Sequence, residues 1–87
     1  MKAKCTSQQM LKVIKRNMEI KADELKPEHN LILAVIGSAI TDLLDKTHRR
    51  SAEAFFNHEL FHGYCNLIGL HPEATKQLLV QGGFLGA

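Results

Sequence analysis

His58-Glu59-Leu60-Phe61-His62 is the stretch whose residue types and spacing most directly suggest chemistry. On a helix, His-Glu-x-x-His sets two imidazoles on one face where they can hold zinc, with the glutamate beside them as a general base. A hydrolase built this way also needs a third ligand from a later element and a substrate cleft. His71 and Glu73 follow His62 by nine and eleven residues, and neither spacing completes a zinc-hydrolase pattern. Gly63, Cys65 and Gly69 do not rebuild the extended form of the motif either. Five histidines in 87 residues make a chance match unsurprising. A metal-dependent hydrolase through His58 and His62 is therefore the remote alternative. The expectation is a binding module, not an enzyme, with no cofactor.

No other chemistry stands out. The chain has no Gly-rich phosphate loop, no Cys-x-x-Cys pair and no paired carboxylates. Cys5 falls in an N-terminal segment expected to be frayed and Cys65 in a helical pattern, so a structural disulfide is not expected. Cys65 reads as a small residue at a helix crossing, not as a nucleophile.

The elements that must position these residues read as helices. Residues 31–44, Leu-Ile-Leu-Ala-Val-Ile-Gly-Ser-Ala-Ile-Thr-Asp-Leu-Leu, are too long for a buried strand and begin with six apolar residues. A helix apolar all round has to be covered on most of its faces, so this one is expected at the centre. Ala34, Gly37, Ser38 and Thr41 give it a strip of small residues open to a neighbour. Pro27 suits its first turn.

Thr6 and Gln9 form a capping box for the first helix. Met10, Ile14, Met18, Ala22 and Leu25 then recur at helical spacing, which predicts an end near Leu25 or Lys26, before Pro27. Asp45-Lys46-Thr47 predicts a break before a short helix carrying Ala52, Ala54, Phe55 and Phe56. Asn57 is the expected N-cap of the next helix, with Glu59 in its first turn. Gly69 suits the C′ position and Pro72 the N1 position of a last helix. Ala74, Thr75, Leu78 and Leu79 are the expected inward face of that helix, Gly82-Gly83 its end, and Phe84-Leu85-Gly86-Ala87 an apolar tail. The sum is a single all-α domain, a small bundle of about five helices with a C-terminal helix-turn-helix-like pair.

Phe61 to Val80 is helix, tight glycine turn, helix. Cys65 supplies a small residue four before Gly69, Ile68 and Leu70 flank the glycine, and Thr75 and Leu78 follow it by six and nine. The segment resembles the helix-turn-helix of phage repressor-type regulators, with Thr75 in place of the usual Val or Ile. Ala54-Phe55-Phe56-Asn57, then Phe61, Cys65, Leu67, Gly69-Leu70 and Pro72-Glu73, also resembles a group of short phage and prophage-associated proteins. In that group an Ala-x-x-Phe/Trp helix precedes Cys-x-Leu-x-Gly-Leu-Asp-Pro-Glu. His71 stands here where the group has Asp, which predicts the loss of a good N-cap. The resemblance implies a mobile-element context and a transcription-regulatory DNA binder.

On that reading the DNA-facing residues are His71, Glu73, Lys76, Gln77 and Gln81, with Gln77 suited to adenine and Lys76 to guanine or phosphate. Arg49 and Arg50, ahead of the motif, are the expected phosphate contacts, with the basic side of the first helix. Charge permits this without demanding it. Residues 1–26 carry seven Lys/Arg and three acids, and the rest four and six. The alternative is an interaction module that modulates a host protein.

One recognition helix reads one half-site, so a homodimer is expected, through either the Phe84-Leu85 tail or Leu11 and Val13 of the first helix. The longest wholly apolar run is residues 31–36, too short to span a bilayer, and Lys12, Lys15 and Arg16 break up any apolar leader. A cytoplasmic setting is expected.

Overall fold

Thr6 starts the first helix as its side chain predicts. In the computed structural model, which describes residues 5–86, Thr6 Oγ1 accepts from the Gln9 amide at 3.1 Å. Gln9 Oε1 accepts from the Thr6 amide at 2.8 Å. Helix α1 then runs Ser7–Arg16 and buries Met10 and Ile14. It ends well short of Leu25. Asn17 Nδ2 donates back to the Val13 carbonyl at 2.8 Å, and such a side chain competes with the helical backbone. The chain departs through a 3-10 turn, Ala22–Glu24, and Met18 and Leu25 reach the core from irregular backbone. The frayed segment expected before Thr6 lies, apart from Cys5, outside the described residues.

Helix α2, Pro27–Leu43, is the long central element. Its start is closed by His29 Nδ1, which accepts from the Lys26 amide at 3.1 Å. Leu33, Ile36, Ile40 and Leu43, at i, i+3, i+7 and i+10, are its buried stripe. The expectation of cover on most faces does not hold, because Leu31 is 68% and Val35 38% exposed. Neighbours lie on one side of α2 only. The small residues divide accordingly. Gly37 faces α1, where an added Cβ would come within 3.1 Å of Leu11 Cδ2. Thr41 Oγ1 lies 3.1 Å from Ser7 Oγ. Ala34 and Ser38 stay exposed.

The break at Asp45 forms as expected, and Asp45 holds it. Its Oδ1 accepts from the Thr47 amide at 2.9 Å, its Oδ2 lies 2.8 Å from His48 Nδ1, and its carbonyl accepts from the Arg49 amide at 2.8 Å. Helix α3, Arg49–Phe56, buries Ala52 and Phe56, with Ala54 outside. Helix α4, Glu59–Leu67, is capped one residue later than expected. His58, in an extended conformation, accepts from the Leu60 amide at 3.1 Å, while Asn57 closes α3 by donating to the Glu53 carbonyl. Gly69 takes φ 73°, the left-handed C′ geometry its type predicts. Helix α5, Pro72–Gln81, follows at once.

Phe56 and Phe61 lock α3 to α4, with ring centroids 5.0 Å apart and planes at 75°. Met10, Ile14, Ile36, Ile40, Cys65, Ile68 and Leu79 complete the shared core. The tail belongs to that core. Gly83, at φ 82°, turns the chain so that the Phe84 amide donates to the Leu79 carbonyl at 2.8 Å. Phe84 is fully buried and Leu85 nearly so. Leu11 and Val13 are likewise packed against the core. Both surfaces expected to pair copies are used within one chain. Among the described residues there are five α-helices and no strand, and no helix is long and apolar enough to cross a membrane.

Candidate nucleic-acid interface

The α4–turn–α5 unit is built from the inside out. Cys65, Ile68 and Leu70 are buried, and the Leu70 amide donates to the Cys65 carbonyl at 2.8 Å, closing the turn. On α5 the fully buried positions are Thr75 and Leu79, one turn apart. Leu78 is half-buried and Ala74 exposed, so the inward face is narrower than the expected four positions. Thr75 resolves the burial of its hydroxyl by donating to the His71 carbonyl at 2.9 Å. Burial pushes the Cys65 thiol up to about 11, which makes it a packing residue.

One residue outside the sequence motif shapes the turn. Glu19 donates its amide to the Gly69 carbonyl at 3.0 Å, and a Cβ on Gly69 would meet Glu19 Cβ at 3.0 Å. No local signal marks Glu19, since it arrives from the irregular segment after α1. A recess of about 260 Å³ opens beside this contact, between Glu19, Asn66 and His71.

His71 caps α5 after all. Its Nδ1 accepts from the Ala74 amide at 3.3 Å, so a histidine does the work expected of an aspartate. This accepting role places the proton of neutral His71 on Nε2. Glu73, Gln77 and Gln81 are exposed along α5. Lys76 is largely covered, only 20% exposed, and its Nζ lies 3.6 Å from Glu73 Oε1. The same oxygen is 3.9 Å from His62 Nε2, so one carboxylate stands between α4 and α5.

Arg49 and Arg50 part company. Arg49 Nη1 donates to the Leu43 carbonyl at 2.6 Å and Nη2 to the Phe84 carbonyl at 3.1 Å. Its Nε lies 3.8 Å from Glu53. The guanidinium therefore closes the end of α2 onto the tail, and a phosphate contact would require breaking that clamp. Arg50 is exposed. Lys12, Lys15 and Arg16 are exposed along α1.

The His-Glu-x-x-His stretch does not lie wholly on a helix. His58 precedes α4 as its cap and spends Nδ1 on the Leu60 amide, while His62 Nε2 is covered and without a hydrogen-bond partner. Among the described residues, no three His, Cys, Asp or Glu side chains converge as a metal site. No protein family, curated protein or solved structure matches the chain.

Proposed function

We propose that this chain is a small helix-turn-helix DNA-binding protein of the transcription-regulatory kind, with α5 as its recognition helix. The observation that carries the reading is the division of α5. Thr75 and Leu79 are buried and anchor it to the core, and His71, Glu73, Gln77 and Gln81 remain on the solvent side. Side chains along such a helix are suited to reach base edges in the major groove, whose donor and acceptor pattern distinguishes the base pairs. Gln77 can pair with an adenine edge. His71, at the start of α5, has Nε2–H free to donate. Lys76 becomes available for guanine or phosphate once it leaves Glu73. Arg50 and the Lys12–Lys15–Arg16 side of α1 supply charge for the backbone, and Arg49 stays with its carbonyls.

Selection from a pool of randomised duplexes, followed by mobility shifts over a salt series, tests the reading. A recovered motif whose binding weakens in Gln77→Ala and Lys76→Ala is expected. Arg50→Ala should lower the steepness of the salt dependence by about one unit, since each phosphate contact releases roughly one counterion. Absence of binding at low salt removes the reading.

A second reading, a module that binds a host protein, is favoured by one feature. Leu60 and Leu67 are 58% and 62% exposed at i, i+7 on α4. Capture of a host protein that is lost in Leu60→Ser/Leu67→Ser, without any DNA binding, would select it.

A further inference from the structure

One carboxylate, Glu73, stands between two nitrogens that compete for it. Lys76 Nζ, one turn on along α5, lies 3.6 Å from Glu73 Oε1, and His62 Nε2, across the gap on α4, lies 3.9 Å from the same oxygen. Neither distance is a hydrogen bond, and each is within about 1 Å of becoming one. Glu73 is exposed and free to move toward either. The two competitors differ in what they need. Lys76 and Glu73 are neighbours on one helix at the surface, the kind of ion pair that contributes least. His62 Nε2 is covered and has no hydrogen-bond partner. A neutral imidazole can leave that nitrogen bare, but a protonated one carries hydrogen on both nitrogens. A covered N–H needs a protein acceptor, and the carboxylate within reach is Glu73.

We propose that Glu73 is a two-position latch on Lys76. It stays with Lys76 while His62 is neutral and swings to His62 Nε2–H when His62 is protonated, which frees Lys76 for an anionic partner. Histidine is the side chain whose charge changes between pH 5 and 8, so the latch works in that range. Its consequence for DNA rests on the helix-turn-helix reading, in which Lys76 reaches phosphate or guanine. The swing itself does not.

The ionisable groups around the pair are otherwise engaged. Glu53 of α3 borders the recess that Glu73 and Lys76 also line, and it lies 3.8 Å from Arg49 Nε. Cys65 is near enough to feel the charge of Lys76, but burial holds its thiol at about 11 and so neutral. One turn before His62 on α4, Glu59 is exposed, and His58 spends Nδ1 on the Leu60 amide. Protonating His71 would cost α5 its cap, because its Nδ1 accepts from the Ala74 amide. That effect is separate from the latch and can be removed by substitution. Releasing a surface ion pair is worth a factor of about two to five in binding, and one added phosphate contact steepens the salt dependence by about one unit.

NMR on the free chain from pH 8 to pH 5 tests the swing without DNA. The Lys76 side-chain and Glu73 carboxyl signals should move with the same midpoint as the His62 ring. That response should persist in His71→Asn, which keeps a capping side chain, and disappear in His62→Gln. Amide spectra will show that both variants fold. Duplex binding then tests the consequence. From pH 7.5 to pH 5.5 the parent should gain about two- to five-fold more affinity than His62→Gln gains, with a salt slope steeper by about one unit. Glu73→Gln, which leaves Lys76 free throughout, should lose that excess by binding tightly at both pH values. Lys76 and Glu73 signals indifferent to His62, or unchanged in behaviour by His62→Gln, overturn the latch. An equal pH response of DNA affinity in the parent and His62→Gln overturns its action on DNA. Coupled signals in a chain that binds no duplex at any pH support the latch and remove the DNA reading instead.

Discussion

Replacing Arg49 by Met distinguishes a clamp from a phosphate contact. The guanidinium bonds two backbone carbonyls, Leu43 at 2.6 Å and Phe84 at 3.1 Å, and its side chain is 27% exposed. Hydrogen bonds from a charged donor contribute about 1.5–3 kcal/mol each when buried, and partial exposure discounts both. Methionine keeps most of the aliphatic packing. The net loss should be about 2 kcal/mol, a large share of a stability on the order of 5–10 kcal/mol for a domain this size. For a chain of this length that is a fall in Tm of roughly 10 °C. Urea unfolding followed by circular dichroism measures the loss. Hydrogen exchange at the Phe84 amide locates it, because the clamp holds the tail over Leu79. Stability within about 0.5 kcal/mol of the parent, with unchanged Phe84 protection, would refute the clamp. A drop in DNA affinity at unchanged stability would restore Arg49 to the interface.

Three further predictions test the turn, the buried thiol and the exposed histidine. Gly69→Ala should cost about 2–3 kcal/mol in urea unfolding, from the left-handed backbone and the contact with Glu19. Gly69→Asn tolerates that backbone but keeps the contact, so full recovery in Asn would show that Glu19 does not constrain the turn. At pH 8 a thiol reagent should modify Cys5 and leave Cys65 unreacted until denaturant is added, since burial holds Cys65 at about 11. Hydrogen bonding to Asp45 raises His48 above 6.5, and the same bond with the Thr47 amide lowers Asp45 below 3.8. The His48 contribution is present below 6.5 and fades as pH rises through its raised value. That of Asp45 is present above 3.8 and fades as pH falls through its lowered value. The pair therefore works fully between 3.8 and 6.5. An NMR titration should give a His48 midpoint above 6.5 that falls back in Asp45→Asn.

Much of the helix punctuation is legible in single residues. The Thr6–Gln9 box, Pro27, Gly69 and Pro72 each meet a local backbone need, and each sits where that need arises. The end of α1 was hidden because Met18 and Leu25 keep the helical spacing while packing from a loop. His58 and His71 cap helices with Nδ1, a role that residue type alone assigns first to Ser, Thr, Asp or Asn. The uncovered side of α2 could not be read from its composition, since an apolar run does not say how many neighbours the chain can supply. The candidate interface was legible as a polar side of α5 opposite Thr75 and Leu79. The fate of Arg49 was not, because Phe84 lies 35 residues away and meets it only through the fold.

Whether α5 meets DNA is decided by titrating a duplex into isotopically labelled protein and following amide shifts. The measurement needs no known target sequence, because nonspecific binding at about 10⁻⁴–10⁻⁶ M is within its range. Shifts concentrated from His71 to Gln81 are expected, with smaller ones at Arg50 and along Lys12–Arg16, and little change at Leu31, Val35 and Phe55. No shift at low salt, or shifts confined to Leu60, Tyr64 and Leu67 on α4, would contradict the DNA reading.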